Sequence, residues 1–132
     1  MIKKNLFLCV LMFFGCATLT DLRLSEEFDT VTDSYESALS WEEFEMASSF
    51  MSKQNPKKER ALPDKKFFKK IKIISYEVQN RKMNIKKLMV EQTVEITYYN
   101  TDYMIEKVVD DNQIWIYEDN SWRLSTGLPV FE

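Results

Sequence analysis

The 132-residue chain contains no histidine. That absence excludes Ser-His-Asp triads and Cys-His nucleophiles, and it denies zinc its commonest nitrogen ligand. Cysteine is almost as scarce. Cys9 and Cys16 both sit near the amino end, so the body of the chain holds no pair for a disulfide. The fold must stand on packing alone. Glycine is limited to Gly15 and Gly127, which leaves asparagine and aspartate to supply left-handed turn positions. No apolar run reaches the roughly 20 residues that a membrane-spanning helix needs. Thr18, Thr20 and Asp21 end the longest run too early. There is no internal repeat and no low-complexity tract.

What the chain does have begins at Met1. Lys3 and Lys4 precede an apolar run from Leu6 to Phe14, followed by Gly15 and Cys16. A positive end, a short apolar core and a small residue at the cut are the parts of a secretory signal. Phe13-Phe14-Gly15-Cys16 is similar to the lipobox of bacterial lipoproteins, with Phe13 where that pattern prefers leucine. The resemblance implies that the Cys16 thiol receives a diacylglyceryl group, that the chain is cut before Cys16, and that the new amino end is acylated. Membrane attachment through a lipid anchor on Cys16 follows. Two or more acyl chains hold a protein stably where one holds it only marginally. The alternative is an ordinary signal peptidase acting at the small residues Gly15 and Ala17 and releasing a soluble protein. Ala17 follows the cysteine in place of aspartate. By the sorting habit of similar lipoproteins, that implies the outer membrane, with the protein facing the periplasm. The expected division is a signal over 1–15, a short lipid-anchored tether over 16–20, and one domain over 21–132.

Loss of the signal removes Lys3 and Lys4 and leaves the remainder two charges more negative than the full chain's −3. The charge is unevenly spread. Residues 16–56 carry nine acids against Arg23 and Lys53, whereas residues 57–72 have a local balance of +6. Lys65, Lys66, Lys69 and Lys70, with Arg81, Lys82, Lys86 and Lys87, are candidates for one basic face. In an exported protein such a face points to lipid headgroups or an acidic envelope partner, not to nucleic acid. The competing reading is a solvated face that keeps strand edges soluble.

Leu24, Phe28, Val31, Tyr35 and Leu39 form one apolar stripe at helical spacing. A helix is expected from Thr20 or Asp21, its early turns loaded with acids that suit the helix dipole. Ser40 and Glu43 have the spacing of a capping box, which predicts a second helix with Trp41, Phe44, Ala47, Phe50 and Met51 on its buried side. Pro56 ends it. Pro63-Asp64 can open a short helix through Phe67 and Phe68. From Lys70 the period changes to two. A first strand shifts phase at a bulge near Ile74 and turns at Asn80–Asn84. A second alternates Leu88, Val90, Val94, Ile96 and Tyr98 with Glu91, Thr93, Glu95 and Thr97. A third runs from Tyr103 to Tyr117, interrupted by Asp110-Asp111-Asn112, and Asp119-Asn120 makes a hairpin into Trp122-Arg123-Leu124. Leu128 to Phe131 packs as a tail.

The fold class predicted is therefore α+β, with two N-terminal helices packed on a curved antiparallel sheet of about four strands. The closing Trp115-Ile-Tyr117 with Asn120-Ser-Trp122-Arg123-Leu124 is similar to the last hairpin of NTF2-like, or cystatin-like, cone-shaped domains. Tyr35, Leu39-Ser-Trp41-Glu-Glu-Phe44 and the Leu128-Pro129-Val-Phe131 tail resemble uncharacterised proteobacterial lipoproteins carrying that domain. These are aromatic packing signatures, and none is catalytic. The fold hosts many functions, so the resemblance implies a shape and no activity.

Trp41, Tyr76, Tyr98, Trp115 and Trp122 are the candidates for a pocket in the mouth of such a cone. Filling the core is the commoner use of large aromatics. An isomerase-like site would need a buried acid beside a hydrogen-bond donor. Asp110 and Asp111 are the carboxylates in range, although a solvated bulge or turn is their simpler reading. No catalytic residue, metal or cofactor is expected. The role predicted is non-enzymatic binding of an envelope protein or an amphiphile, with small-molecule binding or isomerase-like chemistry inside the cone as the alternative.

Overall fold

The computed structural model describes residues 13–54 and 64–132, with side chains from residue 19 onward. The signal expected over 1–15 lies mostly outside the described residues. Helix α1 spans Phe13–Ser40, α2 spans Phe44–Ser49 and α3 spans Lys65–Phe68. Strands β1 (Ile71–Asn84), β2 (Met89–Asn100), β3 (Glu106–Glu118) and β4 (Ser121–Leu124) follow. They form one antiparallel sheet in the order β1-β2-β3-β4. The fold class is α+β, with helices packed on a curved, open sheet.

No glycine or proline stands between Cys16 and Ser40, so nothing breaks α1. Its described part spans Phe13–Ser40, so it is already helical ahead of the expected start and runs through positions 16–20. Leu24, Phe28, Tyr35, Ala38 and Leu39 are its buried stripe. Thr32 is buried among them without cost, because its hydroxyl donates to the Phe28 carbonyl at 3.0 Å.

The stop of α1 differs from the expectation. Ser40 and Glu43 make no capping box, for Glu43 is itself the N-cap position of α2 and its side chain makes no cap hydrogen bond. A Schellman stop forms in its place. The Glu43 N–H donates to the Ala38 carbonyl at 2.9 Å and the Glu42 N–H to the Leu39 carbonyl at 3.2 Å. Glu42 takes the left-handed position at φ 60° where glycine is usual, at roughly 1–2 kcal/mol. Its carboxylate is ion-paired with Lys72.

In β1 the phase shifts at Ile74, as expected. A second shift, between Val78 and Asn80, was not legible, and it carries β1 through the residues expected to turn. Arg81 and Met83 then point inward, paired with Gln92 and Val90. The turn falls at residues 85–88. β2 alternates as its sequence says, with Val90, Val94, Ile96 and Tyr98 buried. Leu88 is not inside with them, since it lies in the turn at φ 51°. β3 is unbroken from Glu106 to Glu118.

Asp119 and Asn120 both take positive φ in the β3–β4 hairpin, the geometry a two-residue turn requires. The other two turns use asparagine differently. Asn84 accepts from the Lys87 N–H at 3.1 Å and Asn100 from the Asp102 N–H at 2.9 Å. The left-handed positions fall to Leu88 and Met104.

The core lies between α1 and the inner face of the sheet. Phe28 meets Trp115 and Trp122 edge-on at centroid distances of 6.0 and 5.3 Å, and Tyr35 meets Trp115 at 5.3 Å. The Trp122 indole donates to the Leu24 carbonyl at 3.0 Å, pinning the helix to β4. Phe68 of α3 touches Phe44 and Phe131, and Phe131 touches Tyr98, so the tail closes the far end of the core. The edge of β4 is covered by the chain after α2. Leu124 and Phe50 exchange a backbone bond at 2.7 Å, as do Ser52 and Leu124, which removes one exposed strand edge.

Candidate functional site

The register determines which inward side chains share a row. Arg81, Gln92 and Gln113 occupy one row across β1, β2 and β3, and Val78, Val94 and Asp111 occupy the next. Three of these polar side chains, Gln92, Gln113 and Asp111, are buried in an otherwise apolar face, and Arg81 stands at its exposed margin. Burying them is tolerable only if each finds partners.

Gln113 fills all four valences of its amide. Its nitrogen donates to the Asp111 carboxylate at 2.8 Å and to the Tyr76 hydroxyl at 3.0 Å. Its oxygen accepts from Gln92 at 2.8 Å and from the Trp115 indole at 2.9 Å. Gln92 in turn accepts from Arg81 at 3.0 Å, and Arg81 donates to Asp29 of α1 at 3.0 Å. The Arg81 guanidinium also stands 4.9 Å from the Phe28 ring centre, within cation–π range. One connected chain of polar groups therefore runs from the helix through three strands.

Tyr35 meets this network from the helix side. It is fully buried, and its hydroxyl has no hydrogen-bond partner among the described residues. Burial raises its pKa well above the ordinary tyrosine value, and the charges of Asp111 and Tyr76 push the same way. Burial also raises Tyr76, against the hydrogen bond from Gln113. The Asp111 carboxyl is pushed up to about 6 by burial, again against its hydrogen bond from Gln113. A buried carboxyl whose neutral form is favoured, beside two phenols, is the kind of grouping an acid–base site is built from.

This corrects the expectation for the Asp110–Asn112 stretch. There is no interruption, and the alternation of β3 sends the two aspartates to opposite faces. Asp110 is exposed, whereas Asp111 is only 9% exposed. The residues that missed notice were Gln92 and Gln113. Their signal was present, since each occupies an inward position of its strand's alternation.

The five aromatics expected to line one pocket are not brought together. Trp115, Trp122 and Tyr98 fill the core, and Tyr76 is half-buried with its hydroxyl in the network. Trp41 is 77% exposed, because the Schellman stop leaves it between α1 and α2, off the buried side of either helix. The basic residues are also divided. Lys65, Lys66, Lys69 and Lys70 stand before the start of β1, and Lys82, Lys86 and Lys87 at and beyond its end. About 40 Å of strand separates the two groups at 3.3 Å per residue. Lys65 pairs with Glu45 at 2.9 Å and Lys70 with Asp102 at 2.7 Å, so acids from elsewhere neutralise much of the first group. Arg81 belongs to the internal network.

α1 runs antiparallel to β1. Asp29 lies by Arg81, Glu36 is near Tyr76, and Glu42 pairs with Lys72. The amino end of α1, including Cys16, therefore projects from the same end of the sheet as the β1–β2 and β3–β4 turns. At the opposite end stand the β2–β3 turn, the tail and the stop of α1. Trp41, Tyr103, Met104, Ile105, Val108 and Val130 are all at least 60% exposed at or near that end.

No group of three His, Cys, Asp or Glu is arranged to hold a metal ion among the described residues. No helix among them is long and apolar enough to cross a membrane. The chain matches no family model, and no curated protein matches it.

Proposed function

We propose that this protein is a membrane-anchored bacterial lipoprotein whose NTF2-like domain binds a protein or an amphiphile at the cell envelope, without catalysis. The observation that carries this reading is the polarity of the molecule. Cys16 and the exposed apolar group of Trp41, Tyr103, Met104 and Ile105 belong to opposite ends. An anchored domain with that polarity presents its apolar end away from the bilayer, where a partner can reach it. Clusters of exposed large apolar side chains mark interaction sites. Ala17, in place of aspartate after Cys16, supports the outer membrane as the anchor's destination.

Metabolic labelling with a fatty acid tests the anchor. The protein takes up label, and Cys16→Ala abolishes it. Label that survives the substitution sinks the reading. The far end is tested by co-purification from solubilised membranes. Partners recovered with the wild type are lost with Met104→Glu/Ile105→Glu, and recovery unchanged by that pair removes the far end from the reading.

One observation favours the alternative of small-molecule chemistry inside the domain. Asp111 and the unpartnered Tyr35 hydroxyl supply a buried acid and a donor. Against it, Gln113 already satisfies the side chains around Asp111 and aromatic rings fill the adjoining volume. Turnover of an enolisable ketone that Asp111→Asn abolishes would establish the alternative.

A further inference from the structure

The antiparallel run of α1 along β1 puts two unrelated stretches at one level. From Asp29 back to Cys16 the helix rises about 20 Å at 1.5 Å per residue. From Arg81 the strand advances about 10 Å to Asn84, where β1 ends, and Lys86 and Lys87 sit in the turn just beyond it. Asp29 and Arg81 are in contact at 3.0 Å, so the hairpin tip stands level with the helix between Leu22 and Leu19, about 10–15 Å beyond Asp29, and Cys16 lies about one turn further out. The overhang of the helix carries Leu19 and Leu22, 66% and 55% exposed, and every residue from Leu19 to Arg23 is exposed. Burial begins only at Leu24, where Trp122 holds the helix. Leu19 and Leu22 are three apart and so share a helix face.

We propose that the β1–β2 hairpin tip is a second contact with the bilayer that holds Cys16. Lys86 and Lys87, with Lys82 behind them, meet phospholipid phosphates, while Leu19 and Leu22 meet the acyl boundary. The inference rests on the anchored reading for its orientation. Lys82 and Lys87 both line a hollow of about 260 Å³ together with Asn84, Met89 and Glu91. Glu91, opposite Lys82 in the register, works against their attraction for phosphate. Asp119 in the neighbouring turn and Asp21 on the overhang do the same. Glu118 is engaged by Ser52 at 2.7 Å. A lysine at a bilayer surface contributes about 1 kcal/mol when the lipid is anionic, which is roughly a fivefold change in binding for each one removed.

The test uses the full chain carrying Cys16→Ser, floated with vesicles of phosphatidylcholine alone or with phosphatidylglycerol added. The apolar run Leu6–Phe14 binds both vesicles and Lys3 and Lys4 favour the anionic one, so the substitutions at the hairpin tip carry the test. Phosphatidylglycerol strengthens binding, Lys86→Gln/Lys87→Gln removes about 25-fold of it, and Glu91→Gln increases it. The far-end pair Lys66→Gln/Lys69→Gln leaves it unchanged. Equal binding to both vesicles overturns the proposal, as does an equal loss from the far-end pair. The anchor is read separately by fatty-acid labelling. Vesicle binding through Lys86 and Lys87 without label on Cys16 would keep this surface and sink the anchor.

Discussion

The two faces of β2 obey the same alternation and meet opposite fates. Inward, Val90, Gln92, Val94, Ile96 and Tyr98 are all buried, and the one long polar side chain among them finds two partners. Outward, Glu95 stands between Glu77 of β1 and Asp110 of β3 in direct register, three carboxylates in one row. The inner face tolerates polar groups because each is answered by another. The outer face tolerates like charges because water screens them. Burial therefore demands pairing far more strictly than proximity does, and each face can be tested on that ground.

The largest effect expected is at the centre of the inner face. Trp115→Ala removes a fully buried indole in contact with Phe28 and Tyr35 and takes one donor from Gln113. It should cost about 3–5 kcal/mol in urea denaturation. Trp41→Ala, at an exposed site, should stay within about 0.5 kcal/mol. Similar losses from the two would mean that the indole of Trp115 is not buried as described.

Next in size is the carboxyl of Asp111. Its folded pKa, raised to about 6, exceeds the unfolded value of about 3.9. The folded protein thus binds more protons than the unfolded one between those values. Its contribution to stability is full below about pH 4 and is lost as pH rises through 6, a change on the order of 3 kcal/mol. Half-buried Glu36, also raised by burial, adds a smaller slope of the same sign. Asp111→Asn should flatten the profile between pH 4 and 7, leaving only that remainder. Parallel profiles for the wild type and the variant would show that the carboxyl is solvated.

These residues also mark where the sequence was readable. The helical stripe of Leu24 to Leu39, the strand period of β2, the bulge at Ile74 and the Asp119-Asn120 hairpin each follow from a local rule, and the structure contains them all. What escaped depends on partners distant in sequence. Arg81 stays exposed at the margin of the inner face, where Asp29 and Gln92 answer it, and it lies on a strand where a turn was expected. Asp111 reads as a breaker until Gln113 and Gln92 are known to face it. Trp41 looked like core because aromatic residues usually are, but the backbone turn at Glu42 decides its direction. Of the candidate carboxylates, the sequence supplied Asp111, which is buried, and Asp110, which the alternation of β3 sends to the opposite, exposed face. It supplied the lysines and not their division between two ends.

The smallest effect tests the outer face. Glu77, Glu95 and Asp110 carry like charge at directly opposed positions, an arrangement that destabilises a sheet. Threonine has the higher strand propensity, and Glu95 has threonine neighbours on its own face at Thr93 and Thr97. Glu95→Thr should therefore stabilise the protein by about 0.2–1 kcal/mol at low ionic strength. The gain should shrink as salt rises, since screening already removes part of the repulsion in the wild type. A loss of stability from the same substitution would mean that the row rests against positive charge. The outer face would then resemble the inner one, with its polar groups answered.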